Sequence, residues 1–335
     1  MIDLGVRSTP LERWHVDGVS LLVKRDDLSA PALGGNKVRA LEYLLDVGPV
    51  RPAPTVLTVG ATGSTHALAV ATYAARLGLR TEVITWPQEE HAVAVATARA
   101  LAGVARVTHA GSVTEAYARA TLRRLRRGVH WIPAGGSVPL GALGHVRAGI
   151  ELAAQLEPGV TPLLVAPLGS GGTIAGLMAG LAVAGRPLTV VGVQVVPRVV
   201  ARRGRVVRLA GRAAALWVRR TGDAEPPPRI EASRLRVWRG AYGGAYGRET
   251  DAARTAAVAF ARAGGPALEP TYSAKAFAVA LELARASPGA PVLFWLTFDG
   301  RWMERRSSQP TFSHPPPCPH SPRSCSASTP PTATC

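Results

Sequence analysis

The feature that most constrains this chain is an alternation, over most of its length, of short β-rich runs with longer helical patterns. "TVLTV" at 55 to 59 precedes a helical pattern from about 65 to 77, and "TEVIT" at 81 to 85 precedes another from about 91 to 101. The rhythm continues through a helix from Tyr117 to Arg127, "VHWI" at 129 to 132, a helix from Leu140 to Gln155, and "PLLVAP" at 162 to 167 leading into another helix. Two more runs, "LTVVGVQVV" at 188 to 196 and "PVLFWLTF" at 291 to 298, are apolar almost without interruption, as strands covered by helices on both faces require. Such a chain is expected to fold as α/β with mostly parallel sheets, whose ligands sit beyond the carboxyl ends of the strands.

At 335 residues the chain exceeds what one hydrophobic core usually supports, so two lobes around a cleft are expected. The alternation stops at about Arg305, where a Pro, Ser, Thr and Cys-rich tail begins that cannot build a core and is expected to be disordered. All three cysteines, Cys318, Cys325 and Cys335, lie in that tail, which leaves the folded part no thiol for a disulfide, a metal site or a nucleophile. The net charge of +17 raises the question of a nucleic-acid partner. Its excess is concentrated in "RRLRRG" at 123 to 128 and across 198 to 239, where helical spacing reads as a solvated basic face, so no nucleic acid is expected. The opening "MIDLGVRSTPLERW" lacks a signal-like apolar run, and no stretch offers about 18 uninterrupted apolar residues. A soluble, cytoplasmic protein with no membrane partner is the expectation.

The first chemically informative stretch is "PLGSGGTIAGLMAG" at 167 to 180, in which an apolar strand runs into Gly169, Ser170, Gly171, Gly172 and Thr173 and then into a helix. Glycines let backbone amides approach an anion, and the helix dipole favours negative charge there, so phosphate is the expected guest. The plain alternative is a strand-to-helix turn that needs glycine. A nucleoside-triphosphate loop would require Gly-Lys before Ser or Thr, and a dinucleotide fold would want an acidic residue about 20 positions on, where this chain has Gln194. Pyridoxal phosphate is the remaining common phosphate ligand bound without a metal, and its chemistry needs a lysine amine for a Schiff base.

Lysine occurs only at Lys24, Lys37 and Lys275. Lys37 follows Gly34-Gly35-Asn36 at the mouth of an amphipathic helical pattern, a position that suits an amine which must be partly neutral and mobile. Its plain alternative is a solvated helix lysine. Lys24 ends an alternating strand, where a salt bridge with Asp26 or Asp27 is expected, and Lys275 sits on a helical segment after Tyr272.

Taken in order, "TPLERW", "LLVKRDDLSAPALGGNKVRALEYLL", "PAGGSVPLGALGHVRAGIEL", "PLGSGGTIAGLMAGL" and "LEPTYSAKAFAVAL" resemble the successive motifs of the aminocyclopropane-carboxylate deaminase and D-cysteine desulfhydrase family, across roughly residues 8 to 302. The resemblance implies a two-domain, fold type II pyridoxal-phosphate enzyme like tryptophan synthase β. Residues 1–49 and 146–303 would form the large cofactor-binding domain and 50–145 a smaller inserted one, leaving 304–335 as the tail. A homodimer is implied as well. By motif, Lys37 takes the place of the Schiff-base lysine beside Asn36, and Gly169, Ser170, Gly171, Gly172 and Thr173 take that of the phosphate cradle. Ser64, Thr65 and His66 in "GATGSTHALA" match the segment that holds the substrate carboxylate and faces the cofactor, with Thr65 replacing the family's asparagine. Tyr272 matches an active-site tyrosine, and Ser273 the position that contacts the pyridine nitrogen. A carboxylate there would keep that nitrogen protonated, as ring opening demands; a hydroxyl suffices for β-elimination. Ser273 therefore favours a desulfhydrase-like lyase acting on a small D-amino acid, with Lys37, Tyr272 and Ser64 as catalytic groups. A deaminase, a racemase or L-specific relative, and a non-catalytic cofactor-binding or basic interaction protein are the alternatives.

Overall fold

The computed structural model describes residues 1–31, 33–48, 54–222 and 226–302. The three cysteines and the expected disordered tail lie outside the described residues. The chain opens with β1 (Leu11–Val16), β2 (Val19–Lys24) and α1 (Asn36–Leu44). It continues through β3 (Thr55–Ala61), α2 (Thr65–Arg76), β4 (Thr81–Trp86), α3 (Ala92–Ala102), β5 (Arg106–His109), α4 (Val113–Arg124) and β6 (Val129–Ile132). The remainder runs α5 (Pro139–Gln155), β7 (Leu163–Leu168), α6 (Gly172–Val183), β8 (Val190–Gln194), α7 (Arg203–Thr221), β9 (Leu235–Trp238), α8 (Asp251–Arg262), α9 (Ser273–Ala286) and β10 (Val292–Trp295).

Two sheets result. The larger has the order β1-β2-β10-β7-β8-β9, parallel except for the antiparallel β1–β2 hairpin. The smaller, β5-β4-β3-β6, is parallel throughout. The apolar strands β7, β8 and β10 are covered on one face by α5, α6 and α7 and on the other by α8 and α9, where Phe260, Phe277 and Phe294 pack together. In each sheet the chain reverses direction of spread at a central strand: β3 has β4 on one side and β6 on the other, and β7 has β8 and β10. The crevices beyond the carboxyl ends of such strands are where open α/β sheets bind ligands. Helix α5 runs unbroken from Pro139 to Gln155 and packs against α6 and α1.

Several elements differ in extent from the periodicity. The helix expected from Tyr117 begins earlier, at Val113, because Ser112 caps it: its Oγ accepts from Glu115 N at 3.2 Å while Glu115 Oε2 accepts from Gly111 N at 2.7 Å. The Arg-rich stretch from 198 contains α7, whose inner face buries Val206, Leu209, Ala210, Ala213 and Ala214 and leaves most of its arginines outward. Lys24 does not pair with Asp26 or Asp27. It is fully buried and donates to Glu151, to Gln155 Oε1 at 2.7 Å and to the Thr9 carbonyl at 2.6 Å. Asp26 instead accepts from Arg39 Nε at 2.6 Å and Trp295 Nε1 at 3.1 Å, and Asp27 from Arg25. A buried charge needs a buried partner, and α5 supplies Glu151 to both Lys24 and Arg39. No helix among the described residues is long and apolar enough to cross a membrane.

Candidate active site

Lys37 is the second residue of α1, and the backbone ahead of it fixes where it points. Gly35 has φ of 101°, and a Cβ there would lie 2.2 Å from the Thr297 carbonyl oxygen. Only glycine allows this approach, which is locked by the hydrogen bond from Asn36 N to Thr297 O at 3.1 Å. The helix start is thereby pinned to the segment that follows β10. The Lys37 side chain lines a cleft whose walls include Asn36, Thr65, Gly169, Ser170, Gly171, Gly172, Thr173, Glu269, Tyr272 and Trp302. Among the described residues its Nζ has no hydrogen bond or ion pair, and lies 5.7 Å from the centre of the Tyr272 ring. Removal from bulk water lowers the amine from 10.5 to about 8, partly opposed by the Glu269 charge.

One end of the cleft is the loop between β7 and α6. Gly171 sits in the left-handed region at φ 92° as the N-cap of α6, so the first amides of that helix face the cavity unpaired within the helix. Hydroxyls surround them: Ser170 Oγ and Ser137 Oγ are 2.6 Å apart, Gly172 N donates to Ser137 Oγ at 3.0 Å, and Asn36 Nδ2 donates to Thr173 Oγ1 at 2.8 Å. Amides, hydroxyls and a helix N-terminus, with no carboxylate among residues 169–173, make a phosphate cradle.

A second cavity that Lys37 also borders is lined by Ser64, Thr65, His66, Gln88, His91, Tyr246, Glu269, Thr271 and Tyr272. Ser64 caps α2, its Oγ accepting from Ala67 N at 3.3 Å, which leaves the hydroxyl proton to donate outward beside a helix N-terminus. His66 Nε2 lies 3.5 Å from Thr58 Oγ1, and burial together with the nearby Lys37 charge pushes its pKa down to about 3. It is a neutral imidazole at physiological pH. Thr65 belongs to both cavities. The structure thus brings Lys37, Asn36, Ser64, Thr65, His66, Gly169 to Thr173 and Tyr272 together around one centre.

Ser273 is placed differently. It lines neither cavity; it is fully buried, and its Oγ donates to Glu269 Oε1 at 3.1 Å. The carboxylate at the wall comes from Glu269, which the sequence reading missed. It caps α9, accepting from the backbone amides of Thr271 at 2.8 Å, Tyr272 at 2.7 Å and Ser273 at 2.6 Å. Burial pushes its pKa up, and these donors pull it back down. Tyr246 was also missed: its hydroxyl is 2.6 Å from that of Tyr272, and burial raises both, Tyr246 to about 12. Both phenols are therefore protonated donors near neutrality. An "AYGGAYG" loop carries no signal of this pairing, though a tyrosine between glycines is unusual for a turn.

The donor set fits pyridoxal phosphate: an anion cradle at one end and an unpaired, partly neutral amine at the centre. The comparisons with known proteins agree. Residues 2–297 match the model of a family described as "Pyridoxal-phosphate dependent enzyme". The chain is 34% identical over 310 residues to the nocardicin C-9' epimerase of Nocardia uniformis, covering 87% of this chain and 90% of the relative. It is 29% identical over 315 residues to the D-cysteine desulfhydrase of Yersinia enterocolitica, covering 88% and 92%. Among solved structures, an "ACC deaminase homologue" superimposes with a TM-score of 0.71 at 29% identity, over 91% of this chain and 94% of the other.

Proposed function

The chain belongs to the pyridoxal-phosphate dependent enzyme family, and from that premise we propose that it is a lyase catalysing β-elimination from a small D-amino acid. D-cysteine plus water would give pyruvate, ammonia and hydrogen sulfide. The observation that carries the reading is the Lys37 amine, lowered to about 8 and lining both the cavity with the phosphate cradle and the one beside Ser64.

Pyridoxal phosphate, when bound, supplies an aldehyde for the lysine and an electron sink for the pair left at the substrate α-carbon. The protein's own groups divide the remaining work. The α6 amides, Ser170 and Thr173 would hold the phosphate, and Ser64 with the α2 N-terminus would orient the substrate carboxylate. Lys37, deprotonated in good part at pH 8, takes the α-proton. The paired hydroxyls of Tyr272 and Tyr246 deliver a proton to the departing sulfur. Ser273, turned to Glu269 and away from both cavities, does not discriminate between elimination and ring opening. In this reading the Ser64 segment belongs to a lobe of residues 50–145 facing a lobe of 1–49 and 146–303, in a cytoplasmic homodimer. Sedimentation of the holoenzyme measures the last point.

Epimerisation at the α-carbon is the second reading, favoured by the similarity to the nocardicin C-9' epimerase and by a protonated tyrosine pair near Lys37. A panel of D- and L-amino acids, assayed for pyruvate and for inverted product, separates the two. Pyruvate and sulfide from D-cysteine support elimination; inverted amino acid without pyruvate overturns it.

A further inference from the structure

Ser137 reaches the phosphate cradle from outside it. It lies in the turn between β6 and α5, whose shape is held by hydrogen bonds from Gly136 N to Pro133 O at 2.8 Å and from Val138 N to Gly136 O at 2.9 Å. Two glycines make room for its hydroxyl beside that of Ser170: a Cβ at Gly135 would lie 2.3 Å from Ser170 Oγ, and one at Gly172 would lie 2.7 Å from Ser137 Oγ. Ser137 Oγ accepts from Gly172 N at 3.0 Å, and its own proton has two acceptors in range, Ser170 Oγ at 2.6 Å and the Gly135 carbonyl at 3.5 Å. Hydrogen bonds between oxygens span about 2.5–3.0 Å, so the proton goes to Ser170. Among the described residues Ser170 Oγ has no other hydrogen-bond partner, which leaves its own proton to donate. Ser170 lines the cleft, and Ser137 does not.

We propose that Ser137 is a positioning residue for the cofactor phosphate: by donating to Ser170 Oγ, it commits the Ser170 hydroxyl to meet the anion as a donor. The inference rests on the reading of Gly169 to Thr173 as the phosphate cradle. A lone hydroxyl rotates between donating and accepting, whereas an ionised phosphate oxygen only accepts. A hydroxyl whose lone pair is already engaged binds that oxygen without first reorienting, which is the advantage of a supported binding group over an unsupported one. The bond from Gly172 N holds Ser137 in the rotamer that does this. Ser137 acts through Ser170 and not by contact with the phosphate. Its effect therefore exists only where Ser170 and a phosphate are both present.

The test titrates the cofactor-free chain with pyridoxal phosphate and, separately, with pyridoxal, which carries a hydroxyl in place of the phosphate. Visible absorbance reads both titrations in the wild type, Ser137→Ala, Ser170→Ala and the double variant. Ser170→Ala should raise the dissociation constant for pyridoxal phosphate about tenfold, the loss of one hydrogen bond to a charged group. Ser137→Ala should raise it about fivefold when Ser170 is present and leave it unchanged in the Ser170→Ala background. Neither substitution should alter the binding of pyridoxal, whereas a merely structural role for Ser137 would weaken both ligands. A Ser137→Ala penalty that is equal in both backgrounds or for both ligands overturns the proposal alone. So does the absence of a penalty where Ser170→Ala shows one. If Ser170→Ala changes nothing, the cradle reading of Ser170 falls and the proposal falls with it.

Discussion

Replacing Lys37 by methionine in the cofactor-free protein should stabilise the fold near neutral pH, and by an amount that depends on pH in a defined way. The amine is lowered from 10.5 to about 8. That difference corresponds to about 3 kcal/mol of penalty on the charged form, an upper figure because the side chain keeps some contact with solvent. The unfolded chain holds its proton up to 10.5, the folded chain only up to about 8. Between those values the unfolded state binds more protons, so wild-type stability rises with pH; below 8 the whole penalty stands, and above 10.5 it has vanished. Lys37→Met has no such step. Other titrating groups are common to both proteins and cancel in the difference. Urea unfolding of both at intervals from pH 6.5 to 10.5 should show the variant's advantage shrinking by about 2–3 kcal/mol across the range. A difference that stays flat would mean that Lys37 titrates as an ordinary surface lysine and that its cavity does not prepare it for chemistry.

Other consequences follow from the same geometry. Asp26→Ala leaves the buried guanidinium of Arg39 with Glu151 alone and the Trp295 indole without its acceptor, and should cost about 3 kcal/mol in urea unfolding without altering the visible spectrum of the surviving holoenzyme. Gly171→Ala forces a side chain into φ 92° with its Cβ 2.7 Å from Val206 Cγ2, and should raise the dissociation constant for pyridoxal phosphate at least tenfold, measured by equilibrium dialysis. Tyr272→Phe breaks the hydroxyl pair, and should slow elimination from D-cysteine about a hundredfold while affecting β-chloro-D-alanine far less, since chloride departs without a proton. Equal losses with both substrates would remove the tyrosine pair from proton delivery.

What could be read from the sequence is what local chemistry dictates. Lys37 is legible because glycines and a helix start are adjacent to it in the chain, and the phosphate cradle because its five residues are consecutive. The strands β8 and β10 are legible because nearly unbroken apolar runs have few other fates. The groups that were missed come together only on folding. Gln88, Tyr246 and Glu269 reach one cavity from loops that no periodicity links. Glu151 lies 127 residues from Lys24, so nearest-neighbour charge arguments chose the wrong partner. Ser273 was identified by motif, but its hydroxyl turns to Glu269, a side-chain direction that sequence alone does not fix.

The central claim is that Lys37 is the amine that binds pyridoxal phosphate and starts the reaction. It is tested most directly by the visible absorbance spectrum of the protein incubated with the cofactor, beside that of Lys37→Ala, before and after addition of D-cysteine. A yellow absorbance present in the wild type, missing in the variant, and changing on addition of D-cysteine with release of sulfide and pyruvate is the predicted result. A colourless wild-type protein, or a yellow absorbance that survives in Lys37→Ala, would contradict the account.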